Sequence, residues 1–596
     1  MNKQSACNNC ECQAAADFVS SNPGRDCQRV GTARFLGQDP YKIHKPVWAV
    51  TGNLGDSQCY LGVTNKVVAI QTALSSRIEK DDLPVRLLAP IYTIGVSDGQ
   101  LNGTDRMRFS LIGREVASDA ISMHLDANEV KGYIAVVACD KPPVGTLTAI
   151  LEHNQPAVIF SDGSIKPGKD PETNERIDVV SCFQIAGDPD QEKRERYAIN
   201  ACCGYGSCGG MFTYNTMQSF IAVLGMEPLH MVSPASEDER RVREFPNQLI
   251  DCLLTMTNKG ITPKDIVTPV SLRNALTVAI AMGGSTNVAL HSVEIARAAG
   301  INLWTDVICR EEFNDLSRNV PVLVNARPFG TYSMVDIDAK GGLQVIVREL
   351  LHAKLLDGNC ITCTGETLAE QINRLNPPQP DGDVIHSLTK PYKATGGLRL
   401  LSGNLAPEGG AVIKVAGVET GVKNGIYTGK ARVFNSEQEL LNTLTETPDV
   451  FQDKDMVVIR YEGPRGAPGM PEMLDPTSRI TTLCREKGIT IALMTDARFS
   501  GGSVGLVIGH VGPEAYLGGP IALVENGDTI IVDLNQCTLD CHELMDPQTE
   551  AKRKAVWQKA TKENDGEPPS VKKVTNRLLK RMRNTARPAI QGAGMS

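Results

Sequence analysis

The sequence predicts a two-domain protein, an α/β domain followed by a mostly-β, barrel-like one, and three observations carry that expectation. At 596 residues the chain is too long for a single hydrophobic core. From about residue 46 to 374, short β-branched runs alternate with longer helical stretches, which is the pattern of helices packed on a buried sheet. Beyond a polar, Pro-rich stretch at 376–383 the texture changes to strand-like runs separated by Gly-rich turns.

Taken in order, residues 1–45 read as an N-terminal arm and 46–385 as the α/β domain. Residues 386–560 read as the barrel-like domain and 561–596 as a C-terminal helix and tail. In the first domain, 133–137 and 157–160 are expected strands, and 272–282 is a helix with apolar residues recurring every three or four positions. In the second, strands are expected at 412–418, 425–434, 456–461, 490–495 and 521–534, with Asn526-Gly527 as a hairpin turn. Residues 571–587 are basic and amphipathic, and the acidic whole favours a helix docking back on the body over a membrane or nucleic-acid role. There is no internal repeat.

Composition narrows the function class. The formal net charge of −8 lacks the basic footprint that nucleic-acid binding needs. No apolar run approaches the roughly 18 residues of a membrane span. Residues 1–17 carry three Cys, no Arg and no apolar core, which argues against a secretory signal or an Arg-rich presequence. The expectation is a soluble cytoplasmic protein, with a mitochondrial one whose presequence has been removed as the alternative. Seventeen Cys in such a chain point to metal or cluster ligation rather than a disulfide framework.

Four Gly-rich segments carry Cys or acidic residues: Gly52-Asn53-Leu54-Gly55-Asp56-Ser57-Gln58-Cys59, Ala138-Cys139-Asp140-Lys141, Cys202-Cys203-Gly204-Tyr205-Gly206-Ser207-Cys208, and Gly463-Pro464-Arg465-Gly466 running on to Glu472. A Cys in a Gly-rich loop at a strand end suits a soft metal, because thiolate favours iron–sulfur or zinc. The adjoining Asp140 and Lys141 suit a hard cation or acid–base work. α/β sheets hold ligands beyond the carboxyl ends of their strands. Residue chemistry alone therefore reaches a metal-dependent α/β enzyme with its reaction open. The N-terminal Cys7-Asn8-Asn9-Cys10-Glu11-Cys12 looks metal-like but has no partner pair, so no site is expected there.

Eight segments in order make the combination specific: Thr93-Ile94-Gly95-Val96-Ser97-Asp98-Gly99, Met107-Arg108-Phe109-Ser110-Leu111, Cys139-Asp140-Lys141, Cys208-Gly209-Gly210-Met211, Gly283-Gly284-Ser285-Thr286-Asn287, Gly403-Asn404-Leu405-Ala406-Pro407-Glu408-Gly409, Pro468-Gly469-Met470-Pro471-Glu472-Met473, and Asp496-Ala497-Arg498-Phe499-Ser500-Gly501-Gly502. With them the chain resembles the dihydroxy-acid dehydratase and 6-phosphogluconate dehydratase family, which includes sugar-acid dehydratases. The resemblance implies that Cys59, Cys139 and Cys208 hold a 2Fe–2S cluster with one iron open to substrate, 4Fe–4S being the alternative. It implies Mg²⁺ on Asp98, Asp140, Lys141 and Glu472, with Lys141 carbamylated into an oxygen ligand. It implies Ser500 as the base, a small-molecule dihydroxy acid as substrate, and a homodimer. Gly283-Gly284-Ser285-Thr286-Asn287 is expected to cap a helix starting near Val288 through Ser285 or Thr286, and that N-terminus could hold an anion.

This chain departs from the family pattern around its ligands. Gln58-Cys59-Tyr60 replaces Pro-Cys-Asn, Ala138 replaces a Gly, Asn102 stands where Met is common, Cys203 replaces Pro, and Pro142-Pro143-Val144 follows the Cys-Asp-Lys triplet. Cys202 matches a further family Cys that is not a ligand. The segments closest to the dihydroxy-acid branch are Met107–Leu111, Cys208–Met217 and Pro468–Met473. The favoured function is therefore a hydro-lyase turning a 2,3-dihydroxyisovalerate-type acid into a 2-keto acid, in branched-chain amino-acid synthesis. The alternatives are an aldonate dehydratase with a more polar pocket, and a non-catalytic or self-resistance paralogue. Intact Asp98, Asp140, Lys141, Glu472 and Ser500 argue against a dead copy.

Overall fold

The computed structural model describes residues 22–415, 421–503 and 505–595. The Cys7–Cys12 motif lies outside the described residues, as do 416–418 of the first expected barrel strand. No helix among the described residues is long and apolar enough to cross a membrane.

The first sheet is wholly parallel, in the order β2-β1-β4-β5. Its strands are β1 (Val47–Leu54), β2 (Arg86–Leu87), β3 (Ile91–Ile94), β4 (Val130–Val137) and β5 (Ala157–Ser161). One edge of β1 is shared: β2 pairs with Val47 and Trp48, and β3 with Thr51 to Leu54. β4 and β5 are buried along nearly their whole length, as a sheet covered by helices on both faces requires. The parallel arrangement sends the carboxyl ends of β1, β3 and β4 to one side. The loops that follow them carry Cys59, Asp98, and Cys139-Asp140-Lys141. A two-stranded ribbon, β6 (Gly168–Lys169) with β7 (Arg176–Ile177), leads to the helix Val179–Gln184. The expected helix at 272–282 forms as Pro269–Ala281.

The second sheet has eight strands in the order β15-β14-β10-β11-β12-β13-β9-β8. They are β8 (Leu398–Leu401), β9 (Ala411–Lys414), β10 (Ile426–Phe434), β11 (Asp455–Ile459), β12 (Ala492–Thr495), β13 (Val507–Gly509), β14 (Thr529–Asp533) and β15 (Thr538–Cys541). The two edges meet just past β8, where Ser402 bridges Thr538: the Ser402 amide donates to the Cys537 carbonyl at 3.0 Å and the Leu539 amide to Ser402 at 2.7 Å. This nearly closes the barrel and leaves little open edge. The strand period of two divides the side chains cleanly. Met456, Val458, Ala492, Met494 and Ile508 fill the barrel interior. Their neighbours Val457, Ile459, Leu493 and Val507 point outward into a cluster that takes in Leu111, Ile112 and Leu290 of the first domain.

One expected strand is corrected. Of 521–534 only Thr529–Asp533 is a strand, because Pro520–Leu523 coils into a 3₁₀ turn with proline at its start. Asn526-Gly527 is no hairpin tip between paired strands. The Asn526 side chain accepts from the Val433 amide at 2.7 Å and Gly527 donates to the Ala431 carbonyl at 2.8 Å, so the turn is pinned to β10. The basic segment near the C-terminus docks as the helix Arg577–Thr585. It buries Leu579 and Met582, while Arg583 donates to the Arg465, Gly466 and Lys572 carbonyls. The tail then returns to the first domain, where Arg114 donates to the Gly592 carbonyl and Glu115 accepts from the Met595 amide.

Candidate active site

Three cysteines and three carboxylates gather beyond the strand ends. Cys59 and Cys139 are buried neighbours, Cys208 is half-buried, and all three line one cavity. Cys139 lies just past β4 with a left-handed φ of +62°, a conformation a non-Gly residue holds only when its surroundings enforce it. Here its amide donates to the Ser207 hydroxyl at 2.8 Å, which ties the loop of Cys139 to that of Cys208. Tyr60, unusual after a cluster-type Cys, fills the space between Gly55 and Gly95, and its hydroxyl donates to the Val96 carbonyl at 2.8 Å. The departure at this position thus braces the loops after β1 and β3 against each other. The Cys59 hydrogen bond, burial and nearby carboxylates push the Cys139 thiol well up; burial, then Asp140 and Cys139, do the same for Cys208. Such thiols ionise readily only beside a cation. Cys202 shares the cavity, and burial pushes its thiol up to about 11.

The Lys141 ammonium lies 2.5 Å from Asp98 Oδ2, 2.9 Å from Glu472 Oε1 and 3.7 Å from Asp140 Oδ2. All four side chains are almost fully buried. Burial works against the Lys141 charge, but Asp98 and Glu472 more than offset it and hold its pKa above the ordinary value. Burial and the like charges of Asp98 and Glu472 push Asp140 up to about 7 against the pull of Lys141. Each carboxylate has one oxygen turned to Lys141 and the other, Asp98 Oδ1, Asp140 Oδ1 and Glu472 Oε2, without any hydrogen-bond partner. Ligand oxygens from the three lie within 4.8 Å of one another. Buried bare carboxylate oxygens are costly, and converging ones are the donor set a hard cation takes. The three thiols beside them fit a soft, iron–sulfur type group.

Glu472 is held by groups from distant segments. Its Oε1 also accepts from Arg498 Nη1 at 2.6 Å and Asn287 Nδ2 at 2.9 Å. Arg498 is fully buried, and its Nε donates to the Met470 carbonyl at 2.7 Å. Burial works against ionised Glu472, but Lys141 and Arg498 hold its pKa below the usual carboxylate range. The loop carrying Glu472 runs so close to the first domain that a Cβ on Gly469, whose φ is +102°, would sit 1.7 Å from the Arg108 carbonyl. Arg498 and Asn287 stand within their motifs, where nothing in the sequence marks this role. The cap expected of Ser285 or Thr286 does not form on the helix Val288–Ala298. Ser285 accepts instead from the Asn287 amide, and Asn287 sends its side chain to Glu472 and Thr213.

Ser500 lies just past β12, half-buried, on a turn in which its hydroxyl accepts from the Gly502 amide at 3.3 Å. A Cβ on Gly501 would meet Phe212 Cα at 2.7 Å and the Thr213 nitrogen at 2.8 Å, so this turn packs directly on the segment following Cys208. Around Gly502 stand Val180, Leu474 and Phe212, and Ile165, Pro167 and Val179 line the cavity of the cysteines. Polar Lys166, Asp178 and Ser333 stand in the same lining.

Residues 72–371 match the family model described as dihydroxy-acid/6-phosphogluconate dehydratase N-terminal, and 383–593 match its C-terminal counterpart. Similar curated proteins include the dihydroxy-acid dehydratase of Acidothermus cellulolyticus, 42% identical over 78% of this chain and 81% of that protein. Those of Thermosynechococcus vestitus and Prochlorococcus marinus are 38% and 40% identical, each over 88% of this chain and about nine-tenths of their own length. On these matches the chain belongs to the dihydroxy-acid/6-phosphogluconate dehydratase family.

Proposed function

We propose that the protein is a hydro-lyase removing water from a 2,3-dihydroxy carboxylic acid of the 2,3-dihydroxyisovalerate type to give a 2-keto acid. This is the penultimate step of branched-chain amino-acid synthesis, and we place the enzyme in the cytoplasm as a homodimer. The observation that carries the reading is the pairing of two donor sets at one strand-end crevice: Cys59, Cys139 and Cys208 beside Asp98, Asp140 and Glu472 with their bare oxygens. Asp98, Asp140, Glu472 and a carbamylated Lys141 would hold Mg²⁺, and the cysteines a 2Fe–2S cluster. When bound, these groups supply Lewis-acid charge to the substrate carboxylate and 2-hydroxyl on one side and to the departing 3-hydroxyl on the other.

Ionised Ser500 takes the C2 proton; the C2–H electron pair forms the C2=C3 bond as the C3–O bond breaks, and the leaving hydroxide takes up one proton, the equivalent of the one Ser500 removed, to depart as water. The enol left behind gains a proton at C3 and becomes the 2-keto acid. A hydroxyl is too weak a base without neighbouring positive charge, so the role depends on where the Ser500 turn sits. Arg498 and Asn287 orient Glu472, and Ile165, Pro167 and Val179, the apolar part of the cavity lining, take up an aliphatic branch. That part of the lining is what favours a branched aliphatic acid over a polyhydroxylated aldonate.

The test is anaerobic purification, iron and sulfide counting, and keto-acid assay on dihydroxyisovalerate beside a panel of aldonic acids. The expected kcat/KM advantage for dihydroxyisovalerate is at least about tenfold. Equal or better turnover of an aldonate transfers the enzyme to the sugar-acid branch, and no turnover of any acid by cluster-loaded protein supports the non-catalytic reading.

A further inference from the structure

Among the described residues three lysines are almost completely buried: Lys66, Lys141 and Lys414. Lys66 is paired with Asp162 at 2.8 Å, and Lys141 faces three carboxylates. Lys414 faces none. Its ammonium donates to the Gly501 carbonyl at 3.4 Å and stands 4.2 Å above the centre of the Phe329 ring. The placement follows from strand alternation. On β9, Ala411 and Ile413 point into the barrel, whereas Val412 joins the core of the first domain, and Lys414 takes the same outward side. Phe329 meets it from that domain and also carries Lys393 at 5.7 Å, and among the described residues no carboxylate is paired with Lys414.

A buried cation with no counter-ion among the described residues is costly, and such a group persists where charge is needed. Its hydrogen-bond acceptor there belongs to the residue after Ser500, in the turn packed against Phe212 and Thr213. We propose that Lys414 is a positioning residue for the dehydration: seated on Phe329, its ammonium fixes the Ser500-Gly501-Gly502 turn and lays positive charge beside the Ser500 hydroxyl. This rests on Ser500 being the base. Lys414 bonds the Gly501 carbonyl and not the hydroxyl, so it acts through the turn and its field, without taking the proton itself. Burial lowers Lys414 to about 7, and a negative charge developing nearby would favour its ammonium form.

The test compares Lys414→Met and Lys414→Arg with the parent holoenzyme. The readouts are iron and magnesium content and the rate at which the C2 proton of dihydroxyisovalerate exchanges with solvent deuterium across pH. In Lys414→Met the metal content should match the parent while exchange falls about 10²-fold. The acid-side limb of its pH profile should move up by about one unit, because the alkoxide loses its neighbouring cation. Lys414→Arg, which keeps the charge, should hold the parent limb and stay within about tenfold of the parent rate. An unmoved limb in Lys414→Met, or a rate loss that follows loss of iron, overturns the proposal. If Lys414→Met does not fold, Phe329→Leu unseats the ammonium without removing it, and the same limb decides. Ser500→Ala beside these separates the two readings: exchange retained there removes the base and this proposal with it, whereas exchange lost there with an unmoved Lys414→Met limb removes only Lys414.

Discussion

The thiol set and the carboxylate set lie side by side, yet they are built differently. Cys59, Cys139 and Cys208 all come from loops of the first domain, tied together by the Cys139 amide on Ser207 and by Tyr60 between the loops after β1 and β3. The carboxylate set is shared: Asp98, Asp140, Lys141 and Asn287 come from the first domain, whereas Glu472 and Arg498 come from loops after β11 and β12. Buried charge of both signs is costly unless each group meets its partner. The carboxylate set is therefore complete only when the barrel is docked, while the sulfur set needs only its own sheet. If the thiols and carboxylates hold the groups proposed for them, the soft one can thus be fixed first and the hard one closed by domain packing.

The largest expected effect breaks the two sets apart. Glu472→Gln keeps the size and removes the charge; we expect kcat to fall by about 10³-fold or more with the fold intact. Iron content should stay at the parent level while magnesium affinity is lost. Simultaneous loss of iron in a folded Glu472→Gln protein would show that the thiol set is not independent of the barrel. Next in size, Ser500→Ala removes one oxygen from a half-buried turn residue, and C2 proton exchange should fall about 10²- to 10⁴-fold with both metals retained. Exchange at the parent rate would pass the proton to another group.

A smaller effect probes the supports. Arg498→Lys shortens the reach to Glu472 and removes the Nε bond to the Met470 carbonyl, and Asn287→Ala deletes one donor to the same oxygen. Outer partners of a metal ligand are typically worth 10- to 100-fold in affinity or activity, so we expect losses of about that size, larger for Arg498. The measurement is magnesium affinity beside kcat. Unchanged affinity in both variants would mean Glu472 is held by Lys141 alone.

These supports mark where sequence reading stops. Cys139-Asp140-Lys141 is legible because its residues are consecutive and follow a buried strand. Glu472 is legible through its motif, and a motif likewise makes Ser500 a candidate. The bond from Asn287 to Glu472 is not, since it joins segments 185 residues apart and replaces a local cap that the same residues could have made. The barrel shows the same division. β10, β11 and β12 stand out as β-branched runs, whereas β8, β13 and β15 have only three or four residues each and carry no pattern of that length. The helix Pro547–Glu563 buries no residue, so it has no apolar face to betray it. The run at 521–534 misleads because apolar content alone does not distinguish a buried 3₁₀ turn from a strand.

The smallest expected effect sharpens the contrast between two buried lysines, Lys141 amid carboxylates and Lys414 with none among the described residues. Burial holds Lys414 at about 7 in the folded protein, against an ordinary value of 10.5. Between those values the unfolded chain binds a proton that folded Lys414 has released, so this group makes stability rise with pH through that window. Below about 7 both states are protonated and the folded state carries the full cost of a buried cation. Lys414→Met removes the group, so its stability relative to the parent should be greatest at or below pH 7 and shrink as pH rises toward 10. The slope has an upper limit of about 1.4 kcal/mol per pH unit, and relaxation around the ammonium, with its contacts to Phe329 and Gly501, reduces it. Anaerobic thermal unfolding of parent and variant at pH 6.5, 8 and 9.5 reads the difference directly, and every other titrating group cancels in the comparison. A Tm difference that stays constant across that range would mean that Lys414 keeps its proton in the folded protein. A variant that is more stable at neutral pH yet slower in C2 exchange would mark Lys414 as a residue kept for chemistry at a cost in stability.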